Sequence, residues 1–258
     1  MQFIKRSLLI CMISLLACQV SARDCSYLLV NGSSNWYPLV WRDDDGHAAG
    51  VLYDLLSEAS KNIKIPIRIQ DDIPWKRQLI DLNTGRLDIV AGMFKTPHRV
   101  NSYSFSSSLY FSNLRIFLTR ENRHRVKQLD DLVALKGGAV RGLSLGKKLD
   151  DYAFNNLVIE DLSNSNSLFK MLASGRLDYG IFHELSGLNI VNSSYKDSIV
   201  SIDIGLSGQS VHMAYSKVSK CLGHIGKFRA EIERLIDTGV ASQTVDSVID
   251  LIGGKGEE

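Results

Sequence analysis

The phrase Leu82-Asn83-Thr84-Gly85-Arg86-Leu87-Asp88 returns 90 positions later as Leu172-Ala173-Ser174-Gly175-Arg176-Leu177-Asp178. Each copy closes an amphipathic stretch, residues 75–82 in the first case and 167–172 in the second. Each then runs into a short apolar segment, 89–91 and 179–182. Glycine just past a helical pattern marks a left-handed stop, because only glycine takes φ > 0 without a Cβ penalty. An apolar run directly after it suits a strand buried on both faces. The chain therefore predicts helix–glycine–strand twice, once in each half. Two similar α/β lobes imply a cleft between them, and such clefts bind small ligands.

The N-terminus predicts export. Lys5 and Arg6 precede an apolar run over 7–20 that is too short to span a bilayer, and Val20-Ser21-Ala22 offers small residues for cleavage. Residues 1–22 thus read as a signal peptide. A rival exit, Leu15-Leu16-Ala17-Cys18, resembles a lipoprotein box, but Leu16 is large for its place two before Cys18. Either exit places the mature chain in the periplasm. Loss of Lys5 and Arg6 takes the net charge from +2 to zero, which removes any electrostatic case for nucleic acid or an anionic membrane. Cys25 and Cys221 remain after cleavage at Ala22, an even pair in an oxidising compartment, and they predict a disulfide. By loop entropy such a bridge contributes up to about 5 kcal/mol. The six histidines show no ligand spacing, so neither a metal nor a cofactor is expected.

Hydrophobic periodicity predicts strands over 26–30, 65–70, 116–119, 139–141, 157–159 and 209–215, and helices over 50–62, 147–154 and 225–238. The polar stretch 120–125 predicts a crossing between lobes, and the strand over 209–215 a return. The expected division is lobe 1 from residues 23–115 and 209–252, lobe 2 from 116–208, and a disordered tail over 253–258. Two crossings restrain sliding yet allow rotation, the mark of a hinge. Asp43-Asp44-Asp45-Gly46 lacks the spacing and distal glutamate of a calcium loop and reads as a turn.

Several motifs follow one another in a telling order: Pro74-Trp75-Lys76-Arg77, Gly85-Arg86-Leu87-Asp88, Ala91-Gly92-Met93, Thr96-Pro97-His98-Arg99 and Phe105-Ser106, then Leu135-Lys136-Gly137, Gly142-Leu143-Ser144 and Gly175-Arg176-Leu177-Asp178. Together they resemble the polar-amino-acid type (family 3) of periplasmic solute-binding proteins over nearly the whole mature chain. The resemblance implies a type II two-lobe periplasmic binding protein-like α/β fold with a two-strand hinge. It further implies capture of an amino acid or organic acid and delivery to an inner-membrane ABC permease by a monomer, with no catalysis. It assigns the ligand carboxylate to Arg99, with hydrogen bonds from Thr96 and the backbone near Gly92, and ligand-stacking rings to Tyr37 and Trp75. Trp36 and Trp41 are expected in the core.

Physical chemistry agrees on the central residue, because Arg99 follows a buried strand end and its planar fork matches a carboxylate bidentately. Ser144 opens a helix after a strand and a glycine, a natural anion site, and the resemblance matches it to a second-lobe threonine or serine that closes on the same carboxylate in the family. Gly142-Leu143-Ser144-Leu145-Gly146 also fits the nucleophile elbow of a serine hydrolase, for which Asp178 or Asp203 with His212 or His224 would be the partners. The solvated helix that follows and the duplicated lobes speak against that alternative; dehydratases and sensor domains share the binding-protein fold. One departure bears on the ligand. Where the resemblance places an aspartate for the ligand's ammonium, this chain has His183, an imidazole expected to titrate near pH 6.5.

Overall fold

The computed structural model describes residues 25–43, 45–141, 145–206 and 208–253, with side chains to residue 248. The expected signal peptide, Ser144 with Gly142 and Leu143, and residues 254–258 of the expected tail lie outside the described residues.

The first lobe is built from β1 (Leu28–Gly32), β2 (Asn35–Trp36), β3 (Val40–Arg42), β4 (Ala48–Ala49), α1 (Val51–Ile63), β5 (Ile67–Ile69), α2 (Trp75–Asn83), β6 (Ile89–Phe94), α3 (Pro97–Ser102), β7 (Tyr103–Phe105) and β8 (Tyr110–Ser112). The second contains β9 (Leu114–Thr119), β10 (Lys136–Val140), α4 (Lys147–Asn156), β11 (Val158–Leu162), α5 (Ser165–Ala173), β12 (Tyr179–His183), α6 (Glu184–Ile190) and β13 (Ile199–Ile202). The chain then returns through β14 (Gln209–Ser216) to α7 (Leu222–Asp237) and α8 (Val240–Gly253). One sheet runs β5-β1-β6-β14-β7, with β8 also on β14; the other runs β11-β10-β12-β9-β13. In each, three parallel strands (β5-β1-β6 and β11-β10-β12) are joined by antiparallel ones.

All residues of β6 and β12 are buried. That follows from helices on both faces, which convert an alternating strand pattern into a continuous apolar run. On the first sheet, Leu28, Val30, Ile89 and Ala91 pack with α1 and α7, while Leu87, Val90 and Met93 pack with Leu82 of α2 on the other face. On the second, Ile116, Tyr179 and Ile181 meet Leu149 of α4, and Phe117 and Phe182 meet Leu168, Phe169 and Leu172 of α5.

The duplicated phrase does the same work twice. Gly85 and Gly175 adopt φ 73° and 69°. Gly85 N donates to Leu82 O and Arg86 N to Asp81 O; Gly175 N donates to Leu172 O and Arg176 N to Met171 O. This paired 5→2 and 6→1 pattern is the Schellman stop, which satisfies carbonyls orphaned at a helix end. The closing aspartates are equivalent too. Asp88 Oδ2 accepts Leu29 N at 2.7 Å beside β1, and Asp178 Oδ2 accepts Lys136 N at 2.8 Å at the start of β10. Each carboxylate thus ties its own strand's entry to the neighbouring parallel strand.

Two expectations need correction. The polar stretch Arg120–Arg125 is a 3-10 helix on the second sheet, packed against β9 and β13, and not a crossing. The crossing falls at Asn113, between β8 and β9, so the second sheet begins two residues before the expected boundary. The composition shift reports an exposed 3-10 turn, whereas the crossing itself is one residue long, the exposed Asn113. The chain end also differs: α8 occupies 240–253 and takes in Gly253, the first residue of the expected tail. The Cys25–Cys221 disulfide is present, with Cα atoms 5.4 Å apart, and ties the start of the first lobe to the N-cap of α7. Among the described residues no helix is long and apolar enough to cross a membrane.

Candidate functional site

A cavity of about 550 Å³ opens between the two sheets. Its lining follows one rule, since nearly every wall residue sits at or just beyond the carboxyl end of a parallel strand. Ser33 to Trp36 follow β1, and Asp72 to Trp75 follow β5 and lead into Gln78 of α2. Met93, Phe94 and Arg99 lie at the end of β6, Val140 and Arg141 at the end of β10, Ser163 to Ser165 after β11, and Phe182 and His183 at the end of β12. Open parallel sheets bind ligands at that edge because the chain diverges there to opposite faces.

Arg99 is half-buried and lines the cavity. It is placed by α3, whose N-cap Thr96 accepts the Arg99 backbone N–H on Oγ1 at 3.4 Å. Pro97 opens the helix with its φ already fixed. The guanidinium donates through Nη1 to Phe94 O at 3.0 Å and lies 5.8 Å from the Trp75 ring. Burial lowers its pKa below the ordinary arginine value, with the nearby Tyr103 opposing the shift. Among the described residues Arg99 forms no ion pair. Its remaining donors are therefore open to an anion from the cavity.

The aromatic wall differs from expectation. Tyr37 is not among the lining residues; its ring packs edge-on against Trp41 at 5.2 Å. Trp36, expected in the core, lines the cavity instead. It lies tilted by 30° against His183 with centroids 5.0 Å apart and meets Phe94 edge-on at 5.1 Å. Adjacent residues of an extended chain point to opposite faces, so the one-residue register of β2 decides which ring faces the ligand. Trp75 lines the cavity as expected. Gly92 sits within β6 at φ 81°, where a Cβ would stand 3.1–3.3 Å from Leu52, Trp36 and Val40. Glycine is needed there so that the Trp36 ring can approach the strand. Neither Gly92 nor Thr96 is itself a lining residue.

His183 lines the cavity and is 7% exposed. Its Nδ1 shares a hydrogen bond with Ser112 Oγ at 3.1 Å, and its ring lies against Trp36, Phe94 and Phe182. Burial pushes its pKa down to about 3. The expectation of titration near neutrality is thus overturned: an imidazole enclosed by three rings has nothing to offset desolvation of its charge. His183 is a neutral group that bridges the lobes beside the crossing at Asn113. A second bridge is the Ser186 hydroxyl of α6, which donates to Tyr37 O at 2.5 Å.

Residues that sequence reasoning did not single out complete the site. Arg141 lies one residue past β10, and its backbone N–H donates to Leu162 O. Asn164 caps α5 by accepting Ser167 N at 2.8 Å. Gln78 is buried, donates to Gly32 O and Ile73 O, and leaves its Oε1 without a partner. The groups nominated for a hydrolase are scattered. Asp178 precedes β12, at the sheet edge opposite Arg141. His212 is bonded to Ser106 O within the first lobe, and Asp203 caps Gly205 N.

Comparison with known proteins decides the family. The family description bacterial extracellular solute-binding proteins, family 3, matches residues 28–248. The chain belongs to that family. A curated relative, the probable amino-acid-binding protein YxeM of Bacillus subtilis (strain 168), is 23% identical over 165 residues. The match covers 61% of this chain and 60% of the length of that relative. Among solved structures, an ancestral arginine-binding protein bound to arginine is similar with a TM-score of 0.74 at 20% identity, over 86% of this chain and 97% of that one. A histidine kinase sensor domain with similarity to periplasmic binding proteins reaches 0.75 at 19% identity, over 87% and 97%. At these identities the solved structures carry the two-lobe fold and no more. Within family 3, the cavity described above lies where two lobes meet.

Proposed function

We propose that this family 3 protein is a periplasmic receptor that captures a small carboxylate-bearing ligand, an amino acid or a derivative, and presents it to an inner-membrane ABC permease. The observation that carries the reading is Arg99. A half-buried guanidinium that forms no ion pair among the described residues, facing a cavity of about 550 Å³, is an anion site awaiting its anion. Thr96 acts as a positioning residue that sets the helix from which Arg99 projects. Trp36 and Trp75 offer ring faces to the ligand's carbon skeleton, and neutral His183 offers one hydrogen-bonding nitrogen. Closure rotates the second lobe, which begins at β9, against the first about two crossings, Asn113 between β8 and β9 and the segment that leads from β13 into β14. The family resemblance assigns Ser144, which lies outside the described residues, to the same carboxylate. The chain reaches the periplasm by the 1–22 signal peptide and works there as a monomer, without catalysis.

The test is a thermal-shift screen of amino acids and organic acids on the exported protein. A ligand at 100 times its Kd stabilises by roughly 2.7 kcal/mol, which at about 2–4 °C per kcal/mol for a chain of this size moves the midpoint by roughly 5–11 °C. The reading requires stabilisation by at least one carboxylate and none by the matching ester. A screen in which no carboxylate shifts the midpoint refutes it.

A further inference from the structure

The cavity carries more cationic charge than a neutral zwitterion needs. Three of its lining residues are charged: Asp72 and Arg99 on the first lobe and Arg141 on the second. His183 adds nothing, because its burial keeps it neutral. An ordinary amino acid would place its carboxylate on Arg99 and its ammonium by Asp72, leaving the exposed Arg141 to solvent alone. Among the described residues neither Arg141 nor Asp72 forms an ion pair that would neutralise it within the protein.

The two lobes also differ in sign. Among the described lining residues the second lobe presents one charge, Arg141, together with the hydroxyl and amide groups of Ser163, Asn164 and Ser165 at the opening of α5. No carboxylate lines that wall among the described residues, so the wall suits an anion and not an ammonium. The first lobe presents both signs, and beside Asp72 it holds the buried Gln78 with its unpartnered Oε1, an acceptor suited to a cationic donor.

We propose that the ligand is an acidic amino acid, with one carboxylate held by Arg99 on the first lobe, the second held by Arg141 on the other, and the ammonium on the Asp72 side. This deepens the carboxylate-capture reading and rests on it. A ligand of net charge −1 matches a cavity of net charge +1, and the second carboxylate links the lobes. Arg141 is then the specificity residue that separates a dicarboxylate from its amide.

Calorimetry of the full-length mature protein with L-glutamate, L-aspartate, L-glutamine and L-asparagine tests the proposal. One of the two acids should bind at least about tenfold tighter than its amide, the scale of one hydrogen-bonded charge. Arg141→Gln should bring acid and amide to within about threefold of each other, while Arg141→Lys, which keeps the charge without the fork, should retain part of the preference. Asp72→Asn should shrink the advantage of L-glutamate over glutarate, its counterpart without the amine. Amides that bind as well as the acids, or an acid preference that survives Arg141→Gln, overturn the proposal and leave carboxylate capture standing. Failure of every carboxylate to bind removes both.

Discussion

Replacing Gly85 and Gly175 separately by alanine tests whether the repeated phrase is understood at the level of atoms. Both residues sit in the left-handed region, at φ 73° and 69°, within the same Schellman stop. An L-residue there costs roughly 1–2 kcal/mol, and the stiffer unfolded chain returns about 0.4–1 kcal/mol. The shared loss is thus about 1 kcal/mol. The surroundings differ. A Cβ at Gly175 meets nothing within 4 Å, whereas one at Gly85 would stand 2.9 Å from Val218 O and 3.0 Å from Ser219 Cα. Those are backbone atoms that no rotamer change moves aside. Ser219 is further fixed, since its hydroxyl bonds Asp88 and accepts the N–H of Cys221, itself in the disulfide. Overpacking of that kind adds about 1–3 kcal/mol. Gly175→Ala should therefore cost about 1 kcal/mol and Gly85→Ala about 2–4 kcal/mol, read from urea unfolding followed by circular dichroism with the slope unchanged. Equal losses, or a larger one at Gly175, would refute the reasoning.

The closing aspartates should rank in the same order: Asp88→Ala removes a fully buried acceptor of Leu29 N and Ser219 Oγ and should cost about 3–5 kcal/mol. Asp178→Ala should cost about 1–2 kcal/mol in the same urea assay, because its partner Arg125 is well exposed and the ion pair is screened. His183 has a folded pKa of about 3 against an ordinary 6.5, so the unfolded chain holds the extra proton between those values. Its contribution is full above pH 6.5 and is lost as pH falls toward 3. His183→Gln should accordingly flatten the acid arm of the stability curve; an arm of unchanged slope would count against a buried neutral imidazole. For the same reason ligand affinity should stay flat between about pH 5.5 and 8, and a change of tenfold across that range would show that His183 takes up a proton. Intact mass of the exported protein should lie two hydrogens below the fully reduced value, and free thiols detected without reductant would contradict the Cys25–Cys221 bridge.

Much of the architecture is legible in the sequence because it depends on short-range chemistry. The Gly85 and Gly175 phrases announce helix ends through φ, and the runs that follow them announce buried strands through apolarity. Arg99 is legible for the same reason, as a fork placed just past a buried strand. Trp36 and Tyr37 show where this stops. They are adjacent and both aromatic, and only the pairing of Trp36 with Val40 in the small β2–β3 ladder decides which one faces the cleft. That register is a tertiary fact. Arg141, Asp72 and Asn164 are legible by the same rule as Arg99, since they lie just past β10, β5 and β11, and ligands sit beyond strand carboxyl ends. The pKa of His183 was out of reach, because it depends on Trp36, Phe94 and Phe182 closing around one ring from three distant parts of the chain.

The central claim is that Arg99 holds the ligand's carboxylate. Titration calorimetry of the wild type and Arg99→Gln with the tightest carboxylate from the thermal screen tests it most directly. Circular dichroism and the urea midpoint verify that the variant is folded. The account predicts a loss of about 2–5 kcal/mol of binding, as when a buried charge pair loses one partner. Wild-type affinity in folded Arg99→Gln would contradict it.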